Sequence, residues 1–285
     1  MSAGNFELII DTTNMCFMHC RYCGTNSSTD AKQFLPADSI ISAVDTIATE
    51  FASPTVFLGG GSFYCHPDHD KILKVVTHKN AIIKIDLPLH EATIRFLEKY
   101  PPSIFNYTVS LSLWGIGAIH DTLSGKETFA NFSKLAELVR CNQPELNLSF
   151  VLTNELIAQK DELKRFLIAH CDQSNIYFHR LMPSGRCSYA DLPSPVAIKT
   201  FADDLRNSRL PCKIRFHHTI YSNKCVAFCN RLFINYTGNV YGCGWIKADT
   251  IPIGNILHDN LKTICTAVRP NKKIDAQTCN MLFNK

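Results

Sequence analysis

The chain has no run of about 18 uncharged apolar residues and no basic N-terminal stretch leading into an apolar segment. Neither a membrane span nor a secretory signal is expected, and a cytoplasmic location follows as the expectation. A basic block is also missing: the formal charge of +4 is spread over 285 residues, which argues against a dedicated nucleic-acid surface. Charged residues are few, 19% against 46% hydrophobic, a balance that buries one large core, or one large domain with a small appendage. Cysteine, by contrast, is plentiful. Thirteen in a chain of this length without a secretory signal point to reduced thiols and metal binding rather than to disulfides.

Their placement is uneven. Cys16, Cys20 and Cys23 stand in "NMCFMHCRYCGT", directly after the apolar run "FELII". Cys225, Cys229, Cys243 and Cys279 gather near the C-terminus, whereas Cys65, Cys141, Cys171, Cys187, Cys212 and Cys265 are scattered and read as small buried apolar residues. The N-terminal group lacks a fourth member. A structural zinc site closes four ligands, so three thiolates would need His19, His66 or a distant cysteine. A four-iron cluster on three cysteines instead leaves one iron open to a small molecule that can receive an electron. Spacing alone keeps both alternatives.

Short β-rich runs alternate with longer amphipathic ones through most of the chain, the rhythm of repeated βα units. The expected strands are 6 to 10, 55 to 58, 82 to 87, 107 to 113, 147 to 152 and 175 to 181. Helical stripes lie at 36 to 51, 68 to 78, 89 to 99, 127 to 141 and 155 to 170; in the first, Pro36 and Asp38 suit a helix start and Ile40, Ile41, Val44 and Ile47 share one face. Six units are too few to close an eight-stranded barrel, so an open, partial α/β barrel is expected, with its chemistry at the C-terminal ends of the strands. The three-cysteine loop falls at that end. After about residue 210 the rhythm changes to "RLFINYTGNVYGCGW", a hairpin around Thr237-Gly238-Asn239, and then to a turn and short helix. The expected division is therefore 1–210 and 211–285.

"CFMHCRYC" resembles the CxxxCxxC signature of the radical S-adenosylmethionine (radical SAM) superfamily, including the aromatic residue before the last cysteine, here Tyr22. The resemblance implies a partial (β/α)6 TIM barrel and a four-iron, four-sulfide cluster (4Fe-4S) on Cys16, Cys20 and Cys23. It further implies that SAM chelates the open iron, that Tyr22 packs beside its adenine, and that reductive cleavage yields a 5'-deoxyadenosyl radical that takes a hydrogen atom from the substrate. In "FLGGGSFYCHPDHD", Gly60 and Gly61 match the family's Gly-Gly-Glu segment, which holds the SAM amino group, with Ser62 where the glutamate belongs. The same alignment makes His66, Asp68, His69 and Asp70 an ordinary helix start instead of a metal cluster. "SLSLWG" with "HDTLSGKETFANF" is similar to a stretch of family members that carry a C-terminal SPASM or twitch module; this places Ser110 and Ser112 near the SAM ribose or methionine carboxylate. "LMPSGR" resembles a turn at the barrel mouth, making Arg180 and Arg186 contacts of SAM or substrate and leaving Cys187 beside them.

Cys225, twelve residues, Gly238, four residues and Cys243, followed by "PIGNI", resemble the opening of such a module. Only Cys265 and Cys279 follow, so the resemblance implies a twitch-like module with one auxiliary iron-sulfur cluster, also of 4Fe-4S type. Its expected ligands are Cys225, Cys243 and Cys279 with Cys229 as the fourth; a zinc-bound hairpin is the alternative, and Cys265 reads as core. The implied activity is modification of a ribosomally made precursor peptide, with a reductase or flavodoxin-type electron donor. Cys16 lies close to the start of the sequence, so a leader-binding protein is expected as a separate partner. The alternatives are a twitch-type dehydrogenase of an aminocyclitol or sugar and a non-catalytic iron-sulfur or zinc protein. Neither nucleic acid nor membrane is expected as a partner.

Overall fold

The computed structural model describes residues 6–217, 220–221, 230–244 and 251–268. Its strands are β1 (Glu7–Thr13), β2 (Thr55–Gly60), β3 (Ile82–Pro88), β4 (Thr108–Leu113), β5 (Asn147–Leu152), β6 (Asn175–Arg180), β7 (Lys213–Phe216), β8 (Arg231–Ile234), β9 (Asn239–Tyr241) and β10 (Gly254–Asn255). The helices are α1 (Ala37–Glu50), α2 (His69–Val76), α3 (Glu91–Lys99), α4 (Pro102–Phe105), α5 (Ala118–Ser124), α6 (Phe132–Asn142), α7 (Asn154–Ala158), α8 (Lys160–His170), α9 (Pro195–Asn207) and α10 (Leu261–Val268). No described helix is long and apolar enough to cross a membrane.

All ten strands form one sheet in the order β10-β9-β8-β1-β2-β3-β4-β5-β6-β7. Neighbours from β8 through β7 are parallel, and β9 and β10 are antiparallel additions. The six expected strands are β1 to β6, and no described pairing joins β7 to β8, so the barrel stays open. Its strands alternate between two environments. On β3, Ile83, Ile85 and Leu87 are buried toward the helices, while Lys84 and Asp86 occupy the other face; β4 repeats this with Val109, Leu111 and Leu113 against Ser110 and Ser112. Side chains on a strand point alternately to its two faces, so one face packs a continuous core and the other lines a polar lumen. The core face joins Leu8, Ile10, Leu58, Ile85, Leu111, Phe150 and Phe178 to Ile40, Leu73, Leu97, Leu135 and Leu167 of the helices.

Three details depart from expectation. Residues 213 to 216 form β7, parallel to β6, with Ile214 and Phe216 packed on the core. The 155 to 170 helical stretch is two helices, because the chain turns at Gln159 between α7 and α8. The 127 to 141 stretch becomes helical only from Phe132, after a tight turn over Phe129–Asn131. The helix start expected at 66 to 70 is present, with Asp68 just before α2 and Asp70 in its first turn, and the Asp68 N–H donates to His66 Nδ1 at 3.0 Å. The expected hairpin is present as β8 and β9, with Gly238 at φ +83° and Asn235 Oδ1 accepting from Thr237 N at 3.1 Å and Asn239 N at 2.9 Å. It does not stand apart: Leu232 and Ile234 of β8 register with Leu8 and Ile10, and Arg231 forms an ion pair with Glu7.

Candidate active site

β1 ends at Thr13, and the three cysteines follow at the C-terminal edge of the sheet. The loop is tied back on itself and to its neighbours. Cys16 N donates to Ser28 O at 3.0 Å, His19 N to Ser124 O at 3.2 Å and Arg21 N to Leu123 O at 2.8 Å. β2 delivers the glycines against this loop: Gly61 N donates to Thr13 O at 2.6 Å and Ser62 N to Met15 O at 3.0 Å. A Cβ on Gly60, whose φ is +101°, would lie 2.5 Å from Thr13 O, and one on Gly61 would lie 2.0 Å from Met15 O. Glycine is required here because two backbones touch.

Each thiol has donors around it. Ser62, itself buried, sets its Oγ 3.2 Å from Cys16 Sγ, and Met18 N–H points at the same sulfur at 3.4 Å. Thr25 Oγ1 is 3.3 Å from Cys23 Sγ, which also accepts from Ser27 N at 3.4 Å. Burial, and repulsion by the Cys23 and Cys16 thiolates, push the Cys20 thiol up to about 12, while the Trp114 indole and the Arg186 charge pull the other way. Burial likewise raises Cys16. Thiolates held near one another on a half-buried loop repel, and a bound cation would stabilise them. N–H and O–H donors aimed at sulfur are also what tune iron-sulfur clusters. Arg186 adds an unspent donor, since its Nη2 is buried with no hydrogen-bond partner among the described residues. The donor set fits an anionic iron-sulfur cluster held by Cys16, Cys20 and Cys23. Among the described residues, no three His, Cys, Asp or Glu side chains are grouped closely enough for a single metal ion.

Tyr22 is buried with Leu123, Leu181 and Cys187, beside Trp114 and Val151. Its hydroxyl donates to Glu155 Oε1 at 3.0 Å, and burial and the Glu155 carboxylate raise its pKa to about 12. Ser110 and Ser149 share a hydrogen bond of 2.7 Å inside the lumen, and Ser112 lies on the same face of β4 one step nearer the strand's C-terminal end. Arg180 closes β6 opposite Leu152. Arg186 turns into the cysteine loop, donating from Nε to Cys20 O at 2.8 Å and from Nη1 to Ser27 O at 2.9 Å. The His66 ring is fully engaged: Nε2 pairs with Leu35 O at 2.8 Å and Nδ1 accepts from Asp68 N, in keeping with its place at a helix start. Cys243, directly beyond β9, is buried, as is Cys265 on α10; Cys225, Cys229 and Cys279 lie outside the described residues.

Other polar groups at the site escaped the sequence reading. Asp86 on β3 and His179 on β6 both face the lumen, where burial raises the first and lowers the second; the His179 charge, Ser110 and Ser149 act in the opposite direction on Asp86. The signal was available in "IIKIDL", whose alternation puts Lys84 and Asp86 on one face. Glu155 and Trp114 carried no such signal, because only the fold brings α7 and the end of β4 to the cysteine loop. Cys65, read as scattered, lies close enough to Cys16 for the two thiolates to repel, which, with burial, pushes it up to about 12.

An open parallel barrel thus carries a glycine-braced, three-thiol loop at the C-terminal ends of its strands. Residues 10–140, which carry the three cysteines, the glycines, Ser110 and Ser112, match the family model described as Radical SAM superfamily. In structure the chain is similar to Streptococcus suis SuiB bound to S-adenosylmethionine, with a TM-score of 0.72, 15% identity, and coverage of 94% of this chain and 68% of that one. SuiB bound to precursor peptide SuiA gives 0.72, 16%, 94% and 66%. Native anSMEcpe with bound AdoMet and Cp18Cys peptide gives 0.68, 18%, 94% and 82%. At these identities the likeness is one of fold, and the chain spans about two-thirds of SuiB's length. No curated protein matches it in sequence. The family match covers residues 10–140, a little under half of the chain.

Proposed function

We propose that the chain is a radical SAM enzyme that takes a hydrogen atom from a peptide and so oxidatively modifies or crosslinks a ribosomally made precursor. The observation that carries this reading is the packing of the Gly60-Gly61-Ser62 turn against the loop that bears Cys16, Cys20 and Cys23 at the strands' C-terminal ends, with Ser62 Oγ 3.2 Å from Cys16 Sγ. When bound, a reduced 4Fe-4S cluster there would supply the electron that cleaves SAM to a 5'-deoxyadenosyl radical. The chain's own residues hold and shape the site. Ser62 and the Met18 N–H steady Cys16, Tyr22 lines the space between β5, β6 and the loop, and Gly60 and Gly61 offer main-chain groups to the SAM amino group. Ser110, Ser112 and Arg180 are assigned to SAM or substrate. The peptide assignment is supported by the "SLWG", "HDTLSG" and "PSGR" stretches and by the peptide-bound state of two similar structures.

The same reading gives 211–285 a twitch-like role beside the 1–210 barrel, with an auxiliary cluster on Cys225, Cys229, Cys243 and Cys279. A flavodoxin-type reductase would supply electrons, a separate protein would bind the leader, and the site of action would be the cytoplasm. A second reading, oxidation of a hydroxyl-rich small molecule, is favoured by the polar lumen of Asp86, Ser110, Ser149 and His179. Anaerobic reconstitution is expected to give about eight irons per chain if both sites load 4Fe-4S clusters, and dithionite with SAM should release 5'-deoxyadenosine. Exchange of Cys16, Cys20 and Cys23 for Ala should abolish release, and exchange of Cys225 and Cys243 should spare one cluster. A reconstituted protein that leaves SAM intact would overturn both enzyme readings. Faster deoxyadenosine formation with a precursor peptide than with a polyol would decide between them.

A further inference from the structure

We infer that the turn after β6, Ser184-Gly185-Arg186, is a clasp that holds the cysteine loop in its ligating shape, and that Arg186 gives its remaining N–H to the anionic group bound there. The inference rests on the iron-sulfur reading of Cys16, Cys20 and Cys23 and assigns Arg186 a positioning role instead of the SAM or substrate contact implied by resemblance.

The clasp reaches across some 160 residues to five acceptors between Cys20 and Ser27 of one loop. Ser184 Oγ donates to Gly24 O at 2.9 Å, and Arg186 N donates to Cys23 O at 3.0 Å. The Arg186 side chain donates from Nε to Cys20 O at 2.8 Å, and from Nη1 to Ser27 O at 2.9 Å and Asn26 Oδ1 at 3.3 Å. Gly185 permits this approach: it has φ +63°, and a Cβ there would sit 2.2 Å from Cys23 O and 2.7 Å from Gly24 C. Carbonyls of two of the three cysteine residues are therefore held by the clasp, and the loop's own strained point, Asn26 at φ +52°, lies under the guanidinium. A flexible loop carrying three thiols pays conformational entropy to converge on a metal; one already pinned pays less.

The guanidinium spends two of its three nitrogens on this task. Nη2 is buried and has no partner among the described residues, while the Arg186 charge favours the thiolates of Cys16 and Cys20. A buried, charged N–H without an acceptor is costly, and a thiolate-ligated iron-sulfur cluster is an acceptor of the right sign. Hydrogen bonds and positive charge beside such a cluster stabilise its reduced form.

The test reconstitutes the full chain with iron and sulfide under anaerobic conditions, follows iron loss to a chelator, and measures the cluster's midpoint potential. Groups that orient metal ligands typically contribute about 10- to 100-fold in affinity, so Arg186→Gln should lose iron about tenfold faster or more and reduce at a more negative potential. Arg186→Lys, which keeps the charge but not the fork, should restore the potential while iron loss stays fast. Ser184→Ala removes one bond without touching charge; it should speed iron loss at unchanged potential, and it tests the clasp even if Arg186→Gln fails to fold. Wild-type iron loss in both Arg186→Gln and Ser184→Ala would overturn the clasp. Faster loss at an unchanged potential in Arg186→Gln would overturn the donor role of Nη2. A wild-type chain that takes up no iron would overturn the cluster reading itself, and the clasp's role with it.

Discussion

Exchanging Gly61 for Ala tests whether the glycine turn braces the cysteine loop. The added Cβ would sit 2.0 Å from Met15 O and 2.7 Å from Met15 C, both backbone atoms, and contacts below 3.0 Å are not sustained. The end of β2 and the loop must therefore separate by about 1 Å, which lengthens the 3.0 Å Ser62 N to Met15 O bond to about 4 Å, beyond hydrogen-bond range. The Gly61 N to Thr13 O bond and the Ser62–Cys16 contact loosen with it. Two main-chain bonds at about 1 kcal/mol each put the loss near 2 kcal/mol, read as a lowered midpoint in urea unfolding and as weaker iron uptake. Gly59→Ala is the internal control, because a Cβ there meets nothing within 4 Å; its change should stay within about 0.5 kcal/mol. Equal stability and equal iron uptake for the two variants would refute the bracing argument.

His120 should set part of the acid limb of stability. Burial lowers its pKa from 6.5 to about 4, so the unfolded chain binds a proton that the folded chain refuses. Stability is lost as pH falls from 6.5 toward 4, by about 3 kcal/mol at full effect, and a unfolding series on His120→Gln should show a flatter profile in that window. Asp86 works in the opposite sense. Its pKa is raised, but its side chain is open to the solvent of the lumen, so Asp86→Asn should shift the melting temperature only slightly upward while lowering turnover of a bound substrate. Breaking the part-buried Glu7–Arg231 pair by Arg231→Ala should cost about 1–3 kcal/mol and increase protease cutting of the β8–β9 hairpin. Tyr22→Phe removes only the bond to Glu155, so stability should change by about 1 kcal/mol or less and iron content should not change.

What the sequence determined by itself is the part encoded in short spacings and periodicities. The alternation in "NLSFVL" and "TVSLSL" and the helical stripe of Ile40, Val44 and Ile47 specify β4, β5 and α1 locally, because burying one face of each element is nearly obligatory whatever its neighbours. The three thiols were legible for the same reason, since eight residues hold Cys16, Cys20 and Cys23 on one loop; Gly60 and Gly61 were legible through the resemblance of "FLGGGSFYCHPDHD" to a family segment. Tertiary structure alone decided what faces that loop. β7 has only four residues and no strong signal, and it forms because β6 offers an open edge. The β8–β9 hairpin joins β1 through contacts more than 220 residues apart. Glu155 under Tyr22, Asp86 with His179 in the lumen, and Arg186 on the cysteine carbonyls are all long-range pairings. Arg186 shows the limit most clearly, because a side chain at a barrel mouth can point out toward a ligand or in toward the loop. Its direction is set by carbonyls that only the folded chain brings within 3 Å.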